Sequence, residues 1–272
     1  MFPVSPEVPH VLTSGSGDRT VVLLHGYSDH GGTWQKVVPT LGERFRVLVV
    51  DLPGFGLSAG SWSEPLIDGY VDILAALVDD ETGPVSVIGN SLGAVTALAF
   101  ASARPDLVTD VVLADMPGVT GIPRSWTRGA RFGVDRVTRA LTGPVPDRYL
   151  QQMIGTLYAG AALRHPRRAD ARVRADYTQH YATKAQVADL LAIGRVVIRE
   201  IAELPVATMV DELTVPALLL WGANDLLTPA RAAHRITRSV DRRVAIIPSC
   251  GHCPQLDCPS EFLAEVIPFL ER

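Results

Sequence analysis

At 272 residues, with 47% hydrophobic and 20% charged side chains, the chain is long enough for one sizeable core plus an insertion, and its composition excludes a disordered chain. A formal net charge of −4 leaves no basic footprint for phosphate backbones, which excludes nucleic acid as an expected partner.

The chain opens with "MFPVSPEVPH", which has neither a basic segment nor an apolar run of roughly 7–15 residues, and no later window approaches ~18 uninterrupted apolar residues. The expectation is a cytoplasmic protein with no membrane partner. Six apolar, β-branched runs then follow: "TVVLLHG" (Thr20 to Gly26), "RVLVVDLPG" (Arg46 to Gly54), "VSVIGNS" (Val85 to Ser91), "DVVLADMPG" (Asp110 to Gly118), "VPALLLWG" (Val215 to Gly222) and "RVAIIPSCG" (Arg243 to Gly251). Near-continuous apolarity is what strands buried on both faces of a parallel sheet require. Helical patterns separate them, among them Leu92 to Arg104, stopped by Pro105, and Ser260 to Leu270, where Ser260 is the expected cap. The alternation predicts an α/β fold, a mostly parallel, doubly wound sheet with helices on both faces. From Val119 to Glu212 no buried strand is expected and helical patterns such as Gln186 to Leu204 dominate, so this interval reads as an inserted helical layer. It holds 14 of the 25 Lys and Arg residues but 9 of the 29 Asp and Glu residues, about +5 against about −9 elsewhere. Either a solvated helical surface or an Arg-lined entrance for an anionic substrate accounts for that charge.

The stretch "SVIGNSLGAV" (Ser86 to Val95) sets a serine between two glycines, after a strand pattern and before a helical one. A strand that turns into a helix within one residue crowds the positions two before and two after. Gly89 and Gly93 fit there, and the turn lifts the Ser91 hydroxyl above the sheet edge beside the helix N-terminus. A serine hydroxyl needs a base, and the base needs an orienting carboxylate. Of the seven histidines, His252 lies in the loop after the last strand, at the same sheet edge as Ser91. His25 also ends a strand, whereas His10, His30, His165, His180 and His234 read as solvated. Asp225, in "LLLWGANDLLTP", follows the preceding strand and supplies the acid. Asp115 is a second candidate by position, though a turn or capping role also explains it.

These motifs, in this order, resemble the α/β-hydrolase family, from about Thr20 to the end of the chain. The resemblance implies an α/β-hydrolase fold with residues 1–118 and 206–272 as core and 119–205 as a helical cap. It makes "HGYSDHGGTW" the oxyanion loop, in which His25 is structural and the backbone amides of Tyr27 and Leu92 hold the oxyanion, and "DLPGFGLS" (Asp51 to Ser58) a scaffold turn. Ser91, Asp225 and His252 become the catalytic residues. Ser91 stands where similar haloalkane dehalogenases and epoxide hydrolases use Asp. Carbon–carbon bond hydrolases of ring-cleavage pathways often carry Trp after the catalytic His, where this chain has Cys253.

The expected activity is a serine hydrolase acting on a small or medium carboxylic ester, lactone or thioester. The alternatives are a carbon–carbon bond hydrolase of a ring-cleavage diketone, a lyase or cofactor-free oxygenase using the same residues, and a ligand-binding receptor on the same fold. The expected partner is a small-molecule substrate, the expected state a monomer or homodimer, and no cofactor is expected. The three cysteines, Cys250, Cys253 and Cys258, are odd in number and crowded, which argues for a reducing compartment. With His252 they could outline a zinc site, but no second knuckle matches, so no metal is expected.

Overall fold

A computed structural model describes residues 8–58, 62–78, 82–131, 145–164, 178–181, 183–237 and 239–272. All six expected runs form strands: β2 (Thr20–Leu24), β3 (Arg46–Val50), β4 (Val85–Asn90), β5 (Val108–Ala114), β6 (Ala217–Gly222) and β7 (Arg242–Ile247). The Gly, Pro and Asp residues that closed most of the runs lie in the loops beyond. Sequence reading missed β1 (Val11–Ser14), whose middle residues are exposed and which pairs antiparallel with β3 at the sheet edge. A half-solvated edge strand has no continuous apolar run to betray it. The other pairs are parallel, and the sheet order is β1-β3-β2-β4-β5-β6-β7.

Alternate residues of each strand feed two separate cores, the period-2 consequence of the pleat. Val22, Leu24, Val87, Val111 and Leu219 join one, under α2 (Leu66–Leu77) and α3 (Leu92–Ala103). Val21, Leu23, Ile88, Val112 and Leu218 join the other, under Trp34, Leu41 of the short helix α1 (Val38–Gly42) and the C-terminal helix. That two-faced burial is the doubly wound arrangement the runs predict. The sheet changes winding direction between β2 and β4, where a crevice opens at the carboxyl ends of the strands.

Between β5 and β6 the described residues contain no strand. They form α4 (Arg124–Arg131), α5 (Asp147–Ala162), α6 (Lys184–Glu203) and α7 (Val206–Glu212). The chain ends with the single turn α8 (Pro254–Asp257) and α9 (Pro259–Leu270). The α9 start corrects the expected Ser260 cap: Pro259 takes the first helical position, where its missing N–H costs nothing, and Cys258 precedes it. The α6 helix opens with a Thr183–Gln186 capping box and buries Leu190, Ile193, Val197 and Ile201 in the α2–α3 core. Of the interval's basic residues, Arg124, Arg128, Arg148, Arg164, Lys184, Arg195 and Arg199 are exposed.

A polar contact ties α6 to α2. Pro65 precedes α2 and offers no side-chain cap. The Glu200 carboxylate accepts the Leu66 amide at 2.8 Å and the Ile67 amide at 2.9 Å instead, at the positive end of the α2 dipole. Glu200→Ala should lower stability by about 1 kcal/mol, the usual worth of a helix cap, with Glu200→Gln recovering part of it. Urea unfolding midpoints check this, and an unchanged midpoint for Glu200→Ala contradicts it.

Candidate active site

The turn from β4 into α3 is made at one residue. Ser91 has φ +54° and ψ −113°, a conformation L-residues rarely adopt. Its amide donates to Ala114 of β5 at 2.9 Å. A Cβ on Gly89 would fall 2.1 Å from the Gly93 carbonyl oxygen, and one on Gly93 would fall 2.1 Å from that of Leu24. Both glycines are therefore required by backbone contact, as the crowding argument expects.

The loop after β2 lies over this turn. A Cβ on Gly26 would come 3.3 Å from the Ser91 Cβ. His25 is buried, with its Nδ1 2.8 Å from the Gly26 carbonyl and its Nε2 accepting the Leu52 amide at 2.9 Å. That acceptor role fixes the proton on Nδ1, and burial lowers the ring's pKa and keeps it neutral. His25 is thus a brace between two loops. Tyr27 reaches the other way and donates its hydroxyl to the Leu190 carbonyl of α6 at 2.8 Å, over Gly194. Asp51, in the scaffold turn, accepts the Gly31 amide at 2.6 Å and the Leu57 amide at 2.9 Å.

The loops after β6 and β7 bring Asp225 and His252 together, with Asp225 Oδ2 2.8 Å from His252 Nδ1. Asp225 Oδ1 accepts the Leu227 amide at 2.7 Å and the Thr228 amide at 3.0 Å, and the Thr228 hydroxyl lies 2.5 Å from Oδ2. Burial alone would raise this carboxyl, but the hydrogen bond and charge of His252 and the bond from Thr228 outweigh it, and the carboxyl stays ionised well below its usual range. Asp115 is fully buried at the end of β5, and one of its oxygens accepts the Gly222 amide at 2.9 Å. It binds a backbone group, while Asp225 carries the bond to His252.

Sequence reading missed the residues that aim the His252 loop. Asn90, immediately before Ser91, donates to the His252 carbonyl at 2.9 Å and accepts from Gln255 at 3.3 Å. The amides of His252 and Cys253 donate to the Ala162 carbonyl, at the end of α5, at 2.8 and 3.2 Å. A polar Asn at the last position of a buried strand was the one available signal. Of the histidines expected in solvent, His30 is buried against the ring of the half-buried His180 at 4.3 Å, while His10 is half-buried, 3.2 Å from Asp51. His234 is exposed, and His165 lies outside the described residues.

Ser91 and His252 line one cavity of about 580 Å³ together with Tyr27 and Leu92. The rest of the lining is largely apolar, including Ile122, Trp126, Ile154, Leu191, Ile198 and Leu227. Among the described lining residues Arg195 is the only Lys or Arg. The donor atoms of Cys250, Asp257 and Cys258 also lie within 4.8 Å of one another, a set in which a metal could be sought. Burial pushes both thiols up, away from the thiolate a metal needs, and Asp257 already accepts the Gly251 amide at 2.8 Å. His252 belongs to the Asp225 group instead. Among the described residues no helix is long and apolar enough to cross a membrane.

Comparison with known proteins gives consistent findings. The chain is 29% identical over 269 residues to a pimeloyl-(acyl-carrier protein) methyl ester esterase of Nitrosomonas europaea, covering 94% of this chain and 96% of that one. It is 28% identical over 272 residues to a 2-hydroxy-6-oxononadienedioate/2-hydroxy-6-oxononatrienedioate hydrolase of Cupriavidus pinatubonensis, covering 96% and 90%. A thermophilic esterase from Thermogutta terrifontis superposes with a TM-score of 0.76 at 23% identity, over 96% of this chain and 92% of that one, which is a likeness of fold. The alpha/beta hydrolase family model matches residues 21–266, and the chain, with its strand-to-helix serine and its loop-borne Asp and His, belongs to that family.

Proposed function

We propose that the protein is a serine hydrolase that cleaves small or medium carboxylic esters through an acyl-enzyme on Ser91. The observation that carries the reading is the 2.8 Å Asp225–His252 pair, whose His252 lines the same cavity as Ser91, a serine held at positive φ. With its Nδ1–H held by Asp225, His252 presents Nε2 as the base. Ser91 Oγ bonds to the substrate carbonyl carbon as its proton passes to Nε2, and the carbonyl electron pair moves onto oxygen. The Tyr27 and Leu92 amides, both at the cavity wall beside Ser91, are the assigned donors to that oxyanion. Collapse breaks the bond to the alcohol oxygen, which leaves with the His252 proton. Water then repeats the cycle and releases the acid.

Helices α4 to α6 form the cap in this reading, with residues 119–205 roofing a core of 1–118 and 206–272, and the cap decides the substrate. The wall favours an uncharged, apolar acyl group over a dianion. A ring-cleavage diketone is the second reading, favoured by the likeness to a dienedioate hydrolase. The cap is no detachable lid, because Ala162 accepts both amides of the His252 loop. Cys250, Cys253 and Cys258 form no disulfide, which suits a cytoplasmic enzyme.

Ser91→Ala should remove at least roughly 10³-fold of ester turnover, since the nucleophile's loss stalls the whole unit, with the fold retained. Near-wild-type hydrolysis by a folded Ser91→Ala removes Ser91 from the mechanism. Asp225→Asn should lose on the order of 10⁴ in kcat, while Asp115→Asn loses far less; the reverse ranking moves the acid to Asp115. Asn90→Ala should cut kcat roughly tenfold to 10²-fold with KM little changed, because the His252 loop drifts from its aim, and an unaffected kcat contradicts that role. On a chromogenic panel, p-nitrophenyl butyrate should give a higher kcat/KM than p-nitrophenyl hemisuccinate. Preference for the charged ester would restore the anionic-substrate reading.

A further inference from the structure

Asp115 sits where the mechanism above has no use for it. Its residue is wholly excluded from solvent and holds φ at +48°, so the chain keeps a carboxyl here in spite of both burial and backbone strain. The carboxylate oxygens of Asp115 and Asp225 and a ring nitrogen of His252 lie within 4.8 Å of one another. Two carboxylates this close and this dry cannot both be ionised, so the pair holds one proton.

The hydrogen bonds say where it goes. Asp225 receives His252 Nδ1–H and the amides of Leu227 and Thr228, with the Thr228 hydroxyl at 2.5 Å. Asp115 receives the Gly222 amide on one oxygen, and its buried Oδ2 meets no donor among the described residues. An oxygen that no donor reaches is badly placed to carry charge and well placed to carry the hydrogen.

We propose that Asp115 is a permanently protonated carboxylic acid that donates a hydrogen bond to Asp225, a positioning residue behind the acid of the mechanism proposed above. Its Gly222 bond fixes one oxygen at the root of the loop that carries Asp225, and its O–H holds the Asp225 carboxylate in place beside His252. Burial, then the neighbouring charge of Asp225, raise the Asp115 carboxyl well above the usual range, in agreement with the geometry. The other titratable groups around it are His252 and the thiols of Cys250 and Cys258; burial raises the two thiols, which therefore stay uncharged near neutrality.

The first test does not depend on activity. At pH 7 the infrared spectrum of the protein in heavy water should contain the carbonyl stretch of a protonated carboxylic acid. The band should vanish in Asp115→Asn and persist in Asp110→Asn, a control for another buried aspartate. No band, or a band that survives Asp115→Asn, overturns the proposal. Should Asp115→Asn not fold, Asp225→Asn changes the acceptor and must shift the band; an unmoved band overturns it equally.

Stability gives a second readout. Above the unfolded-state value of about 3.9, the unfolded chain releases this proton and the native chain keeps it, so Asp115 makes stability fall as pH rises. Asp115→Asn lacks that slope and should gain on wild type between pH 5 and 8 on the order of the linkage effect; a constant difference counts against a retained proton. In turnover, Asp115→Ala should lose roughly tenfold or more, as when one hydrogen bond to a charged group goes, and the amide of Asp115→Asn, itself a donor, should recover much of it. Equal losses in both variants reduce Asp115 to a packing role, and loss of ester turnover in wild type itself would count against the hydrolase reading while leaving the infrared result standing.

Discussion

The backbone contact between α3 and β2 is the constraint from which the rest of the site follows. The Gly93 backbone lies against the Leu24 carbonyl, and the Gly89 backbone against that of Gly93, with no room for a β-carbon at either. This closeness forces Ser91 into a positive φ at a cost of about 1–3 kcal/mol. The strain persists because α3 is buried on every side, from Leu92 to Ala101. A helix apolar all round cannot rotate to relieve its first turn without exposing core. Ser91 is left at the wall of the cavity, over the crevice where the sheet changes winding direction.

Around that fixed point the polar groups are held by other polar groups, and the apolar ones keep water away. Asp225 remains an anion in a buried place because several donors converge on it. His25, Asp51 and Asn90 do comparable work for the loops, each binding backbone groups from a segment remote in sequence. The His252 loop is gripped from two sides, by Asn90 of the core and by the carbonyl end of α5. In a largely apolar cavity the proposed oxyanion donors and the Asp225 charge act with little competition from solvent.

Much of this was legible in the chain itself, for identifiable reasons. Buried parallel strands leave continuous apolar runs, and a one-residue strand-to-helix turn leaves two glycines, so the sheet and Ser91 could be read directly. Asp225 and His252 followed from their places after successive strands. What stayed hidden depends on distance in sequence. The β1 edge strand has no run, and Ser260 was a plausible cap until Pro259 took the helix start. His30 looked like a loop histidine because nothing local announces the His180 ring 150 residues later. Asp115 looked like a turn residue because its partners, Gly222 and Asp225, come from the far side of the helical interval. The same is true of Ala162, whose carbonyl gives no sign in sequence of the two amides it accepts.

The most direct test of the central claim is whether a covalent intermediate forms on Ser91. Rapid mixing with an activated ester, quenched in acid and followed by peptide mass spectrometry, should give a burst of alcohol release. The acyl mass should appear on the peptide that contains Ser91, in proportion to that burst. Alcohol release with no burst and no acyl group on Ser91 under conditions of rapid acylation, or an acyl group on any other side chain in proportion to the burst, would contradict the account.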